Sequence, residues 1–271
     1  MAGAKRRRIE TGRVRTSGLD ALCSSATFGG ILLLAGCVQS PSPPPEPQGT
    51  FVVFAAASLA DMFDQVEVEL EQLHPELDVV MNYGGSSGLA TQIVEGAPAD
   101  FFVSASEAAM EPIVKARLTA HPVDLATNSL MIAVPPGNPG EVSTLQDFTR
   151  PDLAVALCAF EVPCGALAAR VLEAAGVVPS VDSYEQDVTA VLTKIELDEV
   201  DAGLVYRTDV LAAGDRVEGI EFPGAEDAST LYQSASLTSG TNPNAAAMFT
   251  MFLQGPWLRD LLTEAGFRAP G

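Results

Sequence analysis

Residues 51–59 read Phe-Val-Val-Phe-Ala-Ala-Ala-Ser-Leu, an apolar stretch that narrows to three alanines before Ser58. It begins as a continuous apolar run, which predicts a strand buried on both faces. After Ser58, apolar residues recur at helical spacing as far as Leu73, which predicts a helix. Ser58 is therefore expected at a strand-to-helix joint, with Asp61 three residues later in a pattern close to a capping box. A helix start exposes unpaired N–H groups and carries about half a positive charge, so this joint is predicted to form one wall of an anion pocket. An ordinary capped helix after a buried strand is the alternative.

The same design recurs at three later points, where a strand or loop ends in small or turn residues and a helix begins. These joints lie at Ser86, at residues 164–165 and at residues 187–188. The alternation of strands and helices predicts an α/β protein with a parallel sheet. In such sheets, ligands bind where helices begin at the carboxyl ends of strands. Two serine hydroxyls together with several helix-start amides suit a small oxyanion.

The amino terminus is typical of an export signal. A basic start is followed by a short apolar run, residues 28–35, and by small residues, so residues 1–36 are expected to be removed. The apolar run is too short to span a bilayer as a helix. Residues 34–37, Leu-Ala-Gly-Cys, resemble the bacterial lipobox, which implies cleavage before Cys37 and a lipid on its thiol. A secretory signal with an incidental cysteine is the alternative.

Residues 37–49 form a proline-rich stretch, which favours an extended, semi-rigid spacer between the anchor and the folded part. The charge of the chain changes when residues 1–36 are removed. They hold six of the 15 basic and two of the 35 acidic residues, so nine basic and 33 acidic residues remain, with a net charge of −24. This charge argues against nucleic acid and anionic lipid as partners. An anion site on such a chain must therefore work by local dipoles.

Two cysteines remain in the folded part, Cys158 and Cys164, six residues apart. In an exported, oxidising setting they form either a short-loop disulfide or two free thiols. Their spacing fits no zinc pattern, and the chain has two histidines.

Seven short motifs, taken in order and spacing, carry a resemblance to a known family. They are residues 54–59, 85–90, 96–105, 128–130, 162–165, 187–188 and 203–206. Together they resemble the motifs of periplasmic molybdate-binding proteins, and the similarity runs from about residue 50 to Phe267.

The resemblance implies a two-lobed class II periplasmic binding protein, each lobe a mostly parallel sheet flanked by helices, with the ligand cleft between the lobes. Lobe I is expected at residues 50–130 and 236–271, and lobe II at residues 131–235. The implied ligand is molybdate or tungstate, handed to the membrane permease of an ABC transporter. The protein is expected to be a monomer, with no cofactor, no catalysis and no metal site other than that of the oxyanion itself.

The resemblance also implies five ligand-binding residues. Ser58 and Ser86 would each donate a hydroxyl and a backbone N–H. Cys164, which stands where the family usually has alanine, and Val188 would each donate a backbone N–H. Tyr206 would donate its hydroxyl, although a buried strand tyrosine is the alternative there.

Two other functions are also compatible with parts of the sequence. Residues 84–88, Gly-Gly-Ser-Ser-Gly, fit the nucleophile elbow of a hydrolase with Ser86 as the nucleophile. Such an enzyme needs a downstream histidine, for which His121 is the candidate, since His74 precedes the serine. The second alternative keeps the fold and changes the ligand to sulfate, phosphate or an organic acid. A protonated phosphate needs an acceptor for its hydrogen, and the sequence assigns no carboxylate to the pocket.

Overall fold

The computed structural model describes residues 46–119, 121–225 and 229–270. The predicted signal segment 1–36, the predicted lipid site Cys37 and most of the spacer 37–49 lie outside these residues. Among the helices of the described residues, none combines the length and the apolar character needed to cross a membrane.

The described residues form nine strands and eight α-helices. The strands are β1 (Gly49–Ala56), β2 (Leu77–Gly84), β3 (Phe101–Ser104), β4 (Val123–Val134), β5 (Val155–Cys158), β6 (Ser183–Glu185), β7 (Ala202–Tyr206), β8 (Glu218–Ile220) and β9 (Ser229–Ser236). The helices are α1 (Ala60–Leu73), α2 (Ser86–Val94), α3 (Glu107–Lys115), α4 (Pro163–Ala174), α5 (Val188–Glu196), α6 (Arg207–Ala213), α7 (Pro243–Leu253) and α8 (Pro256–Glu264).

The apolar pattern of the opening stretch produces the elements that it predicts. The apolar residues of β1 are almost all buried, as expected for a strand covered on both faces. In α1, Met62, Phe63, Val66 and Leu70 are the buried positions, and their spacing places them along one side of the helix. The α/β class predicted from the alternation of strands and helices is confirmed.

The sheet is mixed, because two long strands run antiparallel to their neighbours. The strand order is β2-β1-β3-β9-β4-β7-β5-β6, and β8 pairs with β4. Within this order, β2, β1 and β3 are parallel, as are β6, β5 and β7. The 12-residue strand β4 joins the two parallel groups, since its first half pairs antiparallel with β9 and its second half with β7 and β8.

Two hydrophobic regions flank this sheet. Buried residues between Leu130 and Phe222 form the central core. Buried residues of segments 51–126 and 232–267 form the terminal core, which consists of one cluster on each face of its strands. Strand β9, most of which was assigned to lobe II, pairs with β3 and β4 and contributes Tyr232 and Ala235 to the terminal core. The lobe boundaries stay a prediction, and this pairing favours a second boundary between Phe222 and β9.

Candidate functional site

The five predicted ligand-binding residues all line one small pocket, whose empty space measures about 220 Å³. Ser58 and Ser86 follow the carboxyl ends of β1 and β2, whereas Cys164, Val188 and Tyr206 lie at or after the ends of β5, β6 and β7. Because each of these two groups of strands is parallel within itself, the turns that follow them gather at one edge. The two edges face each other across the pocket, which is lined by residues from both cores.

Three walls of the pocket are the first turns of helices. Ser86 and Val188 are the first residues of α2 and α5, and Cys164 is the second residue of α4. The N–H groups of a first helical turn have no carbonyl partner within the helix. The aligned peptide dipoles add about half a positive charge at each such end. In the part of the chain that the structure describes, the pocket lining therefore provides anion-binding groups without a lysine or arginine.

Ser58 reaches the pocket from a short turn and not as a helix cap. The residues Ala57–Leu59 form a 3-10 turn between β1 and α1, and neither this turn nor α1 has a side-chain cap. The predicted capping role of Ser58 is therefore wrong, because a residue inside the turn does not occupy the N-cap position. Its hydroxyl oxygen instead lies 2.7 Å from the hydroxyl oxygen of Tyr232, on β9.

Ser86 is held from behind by a backbone amide. Its side chain is buried, and its hydroxyl oxygen accepts a hydrogen bond from the N–H of Ala105 at 3.0 Å. A serine hydroxyl has one hydrogen and two acceptor lone pairs, so this bond leaves the hydrogen of Ser86 available to donate. The residue thus offers a fixed hydroxyl donor and a helix-start amide.

Tyr206 brings an unsatisfied hydroxyl to the pocket. The residue is 1% exposed, and among the described residues its hydroxyl oxygen has no hydrogen-bond partner. Its ring lies near that of Tyr232, with centroids 6.0 Å apart, but the two hydroxyl groups do not meet hydrogen-bond geometry. Burial raises the pKa of Tyr206 well above its usual value, so the phenol keeps its hydrogen and acts as a donor.

Cys164 presents its backbone from a loop that a disulfide closes. Of the two alternatives that the sequence leaves open, the structure has the Cys158–Cys164 disulfide. The loop turns back tightly, since a Cβ on Gly165 would overlap the carbonyl oxygen of Ala159. Glycine at this position lets the start of α4 lie directly against the end of β5, which sets the position of the Cys164 amide.

One carboxylate also lines the pocket, which the sequence did not predict. Asp187 caps α5, and its Oδ1 accepts the N–H of Ala190 at 2.9 Å. Because the carboxylate is already bonded to an amide of its own helix, its charge is partly compensated there. The N–H groups of Val188 and Thr189, which precede Ala190 in the first turn, are not used by this cap.

The match to a family model comes from the folded part of the chain. Residues 51–268 match the model described as "Bacterial extracellular solute-binding protein". The chain belongs to this family of bacterial extracellular solute-binding proteins. It is therefore a binding protein and not an enzyme, and the class II periplasmic binding fold implied by the resemblance is confirmed.

The proteins that this solute-binding protein resembles include named molybdate- and sulfate-binding proteins. It is 37% identical over 248 residues to the molybdate-binding protein ModA of Mycobacterium tuberculosis, covering 88% of this chain and 95% of the relative. The solved structure of the Azotobacter vinelandii periplasmic molybdate-binding protein superposes with a TM-score of 0.72 at 19% identity, over 82% of this chain and 100% of that one. The sulfate-binding protein SubI of Mycobacterium tuberculosis gives 0.71 at 18% identity, over 82% and 87%. At these identities the two structures establish the fold alone.

The contacts of Ser86 agree with a binding role for this solute-binding protein. A hydrolase needs a histidine within hydrogen-bond reach of its serine nucleophile. Among the described residues, the Ser86 side chain is bonded to the amide of Ala105, and neither His74 nor His121 is a partner. His74 lies instead beside Glu46, with 3.4 Å between the nearest nitrogen and oxygen atoms.

Two polar residues behind the pocket were missed as site components. Tyr232 and Asn128 are buried, and both lie within strands, where neither stands out as a site residue in the sequence. Nothing in the sequence signals that Tyr232 contacts Ser58, because 174 positions separate them. Asn128 lies in one of the motifs that carry the family resemblance, but no role followed from its position there.

Proposed function

We propose that this solute-binding protein captures molybdate outside the cytoplasmic membrane and delivers it to the membrane permease of an ABC transporter. Its relatives at 30–37% identity include several named molybdate-binding protein ModA, which supports molybdate as the ligand. Tungstate is an oxyanion of the same shape and charge, and we expect it to bind in the same way. The protein needs no cofactor, because molybdenum enters as the oxyanion and is bound through its oxygen atoms.

The main support for the proposal is that, among the described residues, the buried hydroxyl of Tyr206 has no hydrogen-bond partner. A buried hydroxyl without a partner costs about 1–3 kcal/mol. Such a cost is retained in a pocket when a ligand satisfies the group. A ligand that accepts a hydrogen bond satisfies this group, since the pKa of Tyr206 is raised and the phenol keeps a hydrogen to donate.

The other donors favour a doubly negative tetrahedral anion. Ser58 and Ser86 supply hydroxyls and amides, while Cys164 and Val188 supply amides, so the donors approach from several sides. Neutral, preorganised donors of this kind bind a fully ionised oxyanion, as at other helix N-termini. We propose that the two lobes close on the anion about their connecting strands, so that donors from each meet on it.

The anchoring of the protein is also part of the proposal. A lipid on Cys37 would hold it at the membrane near its permease, with the proline-rich residues 37–49 as the spacer and a monomer as the working unit. Replacing Cys37 with alanine should release the protein from the membrane fraction. A variant that stays in that fraction would contradict the lipid anchor.

Calorimetric titration of the purified protein with molybdate, tungstate, sulfate and phosphate tests the ligand. We expect molybdate and tungstate to bind tightly, and sulfate and phosphate to bind far more weakly. Tight sulfate binding with weak molybdate binding would assign the pocket to sulfate. Absence of binding by all four anions would contradict the proposed function.

A further inference from the structure

A chain of buried polar groups runs from the pocket into the interior behind Ser58. The hydroxyl oxygens of Ser58 and Tyr232 are 2.7 Å apart, a distance at which either could donate. The side-chain nitrogen Nδ2 of Asn128 donates to the Tyr232 hydroxyl at 3.4 Å and to the Thr208 hydroxyl at 2.8 Å. All of these groups except Ser58 are nearly inaccessible to solvent.

The orientation of the Asn128 amide follows from its other contact. Its Oδ1 accepts the backbone N–H of Ser129 at 3.0 Å. A backbone N–H can only donate, so Oδ1 must face Ser129 and Nδ2 must face Tyr232 and Thr208. Asn128 is thereby fixed as the hydrogen-bond donor to both Tyr232 and Thr208.

The direction of every later bond then follows. An amide nitrogen has no lone pair to offer, so Tyr232 accepts from Asn128, and among the described residues the Ser58 oxygen at 2.7 Å is the acceptor within reach of the buried Tyr232 hydrogen. Burial raises the pKa of Tyr232, so this phenol keeps the hydrogen that it donates. The oxygen of Ser58 accepts that hydrogen, which leaves the hydrogen of Ser58 directed at the pocket.

We infer that Tyr232 and Asn128 are positioning residues that hold the hydroxyl hydrogen of Ser58 toward the bound oxyanion. Without them, Ser58 could turn a lone pair toward the anion, which repels it. The inference rests on the proposed function, since it requires an anion in this pocket. It goes beyond the five residues that line the pocket by assigning a role to two residues behind it.

The same series of hydrogen bonds connects both sides of the pocket. Ser58 and Tyr232 belong to the part of the fold that contains the terminal core, and Thr208 lies in α6, beside the central core. Asn128 lies on β4, the strand that joins the two groups of strands. The orientation of Ser58 therefore depends on contacts that span the two halves of the site.

A double-mutant cycle tests this role. Molybdate affinity is measured by calorimetry for the parent, Tyr232→Phe, Ser58→Ala and the double variant, using the full purified protein. Because Tyr232 acts through Ser58, we expect Tyr232→Phe to weaken binding about fivefold or more in the parent, and by less than about twofold when Ser58 is alanine. Tyr83→Phe is the matched control, because it removes a hydroxyl that is bonded to Asp64 outside the pocket and should leave the affinity unchanged.

A second variant covers the case in which Tyr232→Phe does not fold. Asn128→Asp replaces the donor by an acceptor, which reverses the bonds, so that Tyr232 donates to the carboxylate and Ser58 donates to Tyr232. We expect a greater loss of molybdate affinity in the parent than in the Ser58→Ala background, where only the effect of the added charge remains.

The outcomes separate this inference from the function on which it rests. Equal losses in the two backgrounds, or no loss from either variant, would overturn the positioning role while molybdate binding by the parent stands. Failure of the parent to bind molybdate would overturn the proposed function, and the positioning role with it. A loss confined to proteins that retain Ser58 supports the role of Tyr232 and Asn128.

Discussion

Tyr206 is the residue at which stability and binding oppose each other. Its buried hydroxyl lacks a partner among the described residues, so the protein without ligand carries an uncompensated polar group. We predict that Tyr206→Phe raises the free energy of unfolding of the ligand-free protein by about 1 kcal/mol. The same change should weaken molybdate binding by about 1–2 kcal/mol, because the anion loses a donor.

Chemical denaturation and calorimetry measure the two effects on the same protein. Tyr184→Phe serves as the control, since Tyr184 is an exposed residue of β6. If the Tyr206→Phe variant is less stable than the parent without ligand and binds molybdate equally well, Tyr206 is an ordinary core tyrosine.

Asp209 gives the stability of the protein a pH dependence. Burial raises the pKa of its carboxyl to about 8 from its ordinary value of 3.8, although the N–H of Tyr206 donates to it. The folded protein therefore holds a proton that the unfolded chain releases above pH 4. The stabilisation is full below about pH 4, declines as the pH rises toward 8 and is absent above that, because the unfolded state binds fewer protons in this window.

We predict that Asp209→Asn removes this decline, since the amide keeps an acceptor for the Tyr206 N–H and does not ionise. As the pH rises from acidic to alkaline, the unfolding free energy of the variant should increase relative to that of the parent by about 1.4 kcal/mol per pH unit. Over the whole range this amounts to several kcal/mol. Denaturant titrations at about pH 5, 7 and 9 measure it. Parallel stability profiles for the two proteins would contradict the raised pKa.

At the residue scale, the sequence predicted which side chains meet and not what holds them. Ser58 and Ser86 were found because small residues and helix periodicity mark their joints. The contact between Ser58 and Tyr232 was not predicted, because Tyr232 is distant in sequence and reaches Ser58 through strand pairing. Asp187 was predicted to begin α5, but its side chain could not be placed in the pocket before the loops were assembled.

At the scale of elements, the joint between β2 and α2 packs directly against the joint between β6 and α5. A Cβ on Gly85 would overlap the carbonyl oxygen of Gln186 and approach Val162, so only glycine fits in this arrangement. Gln186 directly precedes the cap of α5. The close approach brings the amides of Ser86 and Val188 into one pocket.

We predict that Gly85→Ala weakens molybdate binding by about 1–3 kcal/mol, the usual cost of overpacking, because the two joints must separate. Gly88→Ala is the matched control, because a Cβ there meets no other atom and alanine favours a helix interior. Calorimetry on both variants checks the prediction. Equal affinities for Gly85→Ala and the parent would show that the contact does not govern binding.

Long periodic elements were predicted well, and short ones were not. Helices α1 and α5 lie where apolar spacing and turn residues place them. Strands β6 and β8 were missed, since each has three residues without buried apolar positions. Helix α4 begins at Pro163, just before the joint predicted at residues 164–165, because proline is well suited to a first helical position.

At the scale of the whole molecule, a strongly negative protein is proposed to bind an anion. Beyond residue 36 the chain carries a net charge of −24, so the long-range field repels molybdate while helix starts attract it at short range. Salt screens the long-range field and leaves the buried donors largely unaffected.

We predict that the association rate constant for molybdate rises severalfold between about 10 and 150 mM NaCl. The dissociation rate constant should change little, because it depends on contacts inside the pocket. Stopped-flow measurements at several salt concentrations test this. An association rate that falls with salt would indicate a local positive field that outweighs the net charge.

The arrangement of the sheet shows the limit of prediction from sequence at this scale. Alternating strands and helices predicted a parallel sheet, and the pairing is parallel within the groups β1–β3 and β5–β7. The antiparallel pairing of β4 with β9 and β7 leaves no such local pattern, since it depends on contacts between distant segments. The second lobe boundary stays a prediction, and the pairing of β9 with β3 and β4 favours a position before β9.

Neutral donors from both sides of one pocket are proposed to hold a doubly negative oxyanion. A crystal structure of the protein with molybdate, using the anomalous signal of molybdenum, would locate the anion and its donors. We predict one strong molybdenum peak in the pocket, with its oxygens within hydrogen-bond distance of Ser58, Ser86, Cys164, Val188 and Tyr206. A molybdenum peak elsewhere, or a pocket that stays empty at saturating molybdate, would contradict the account.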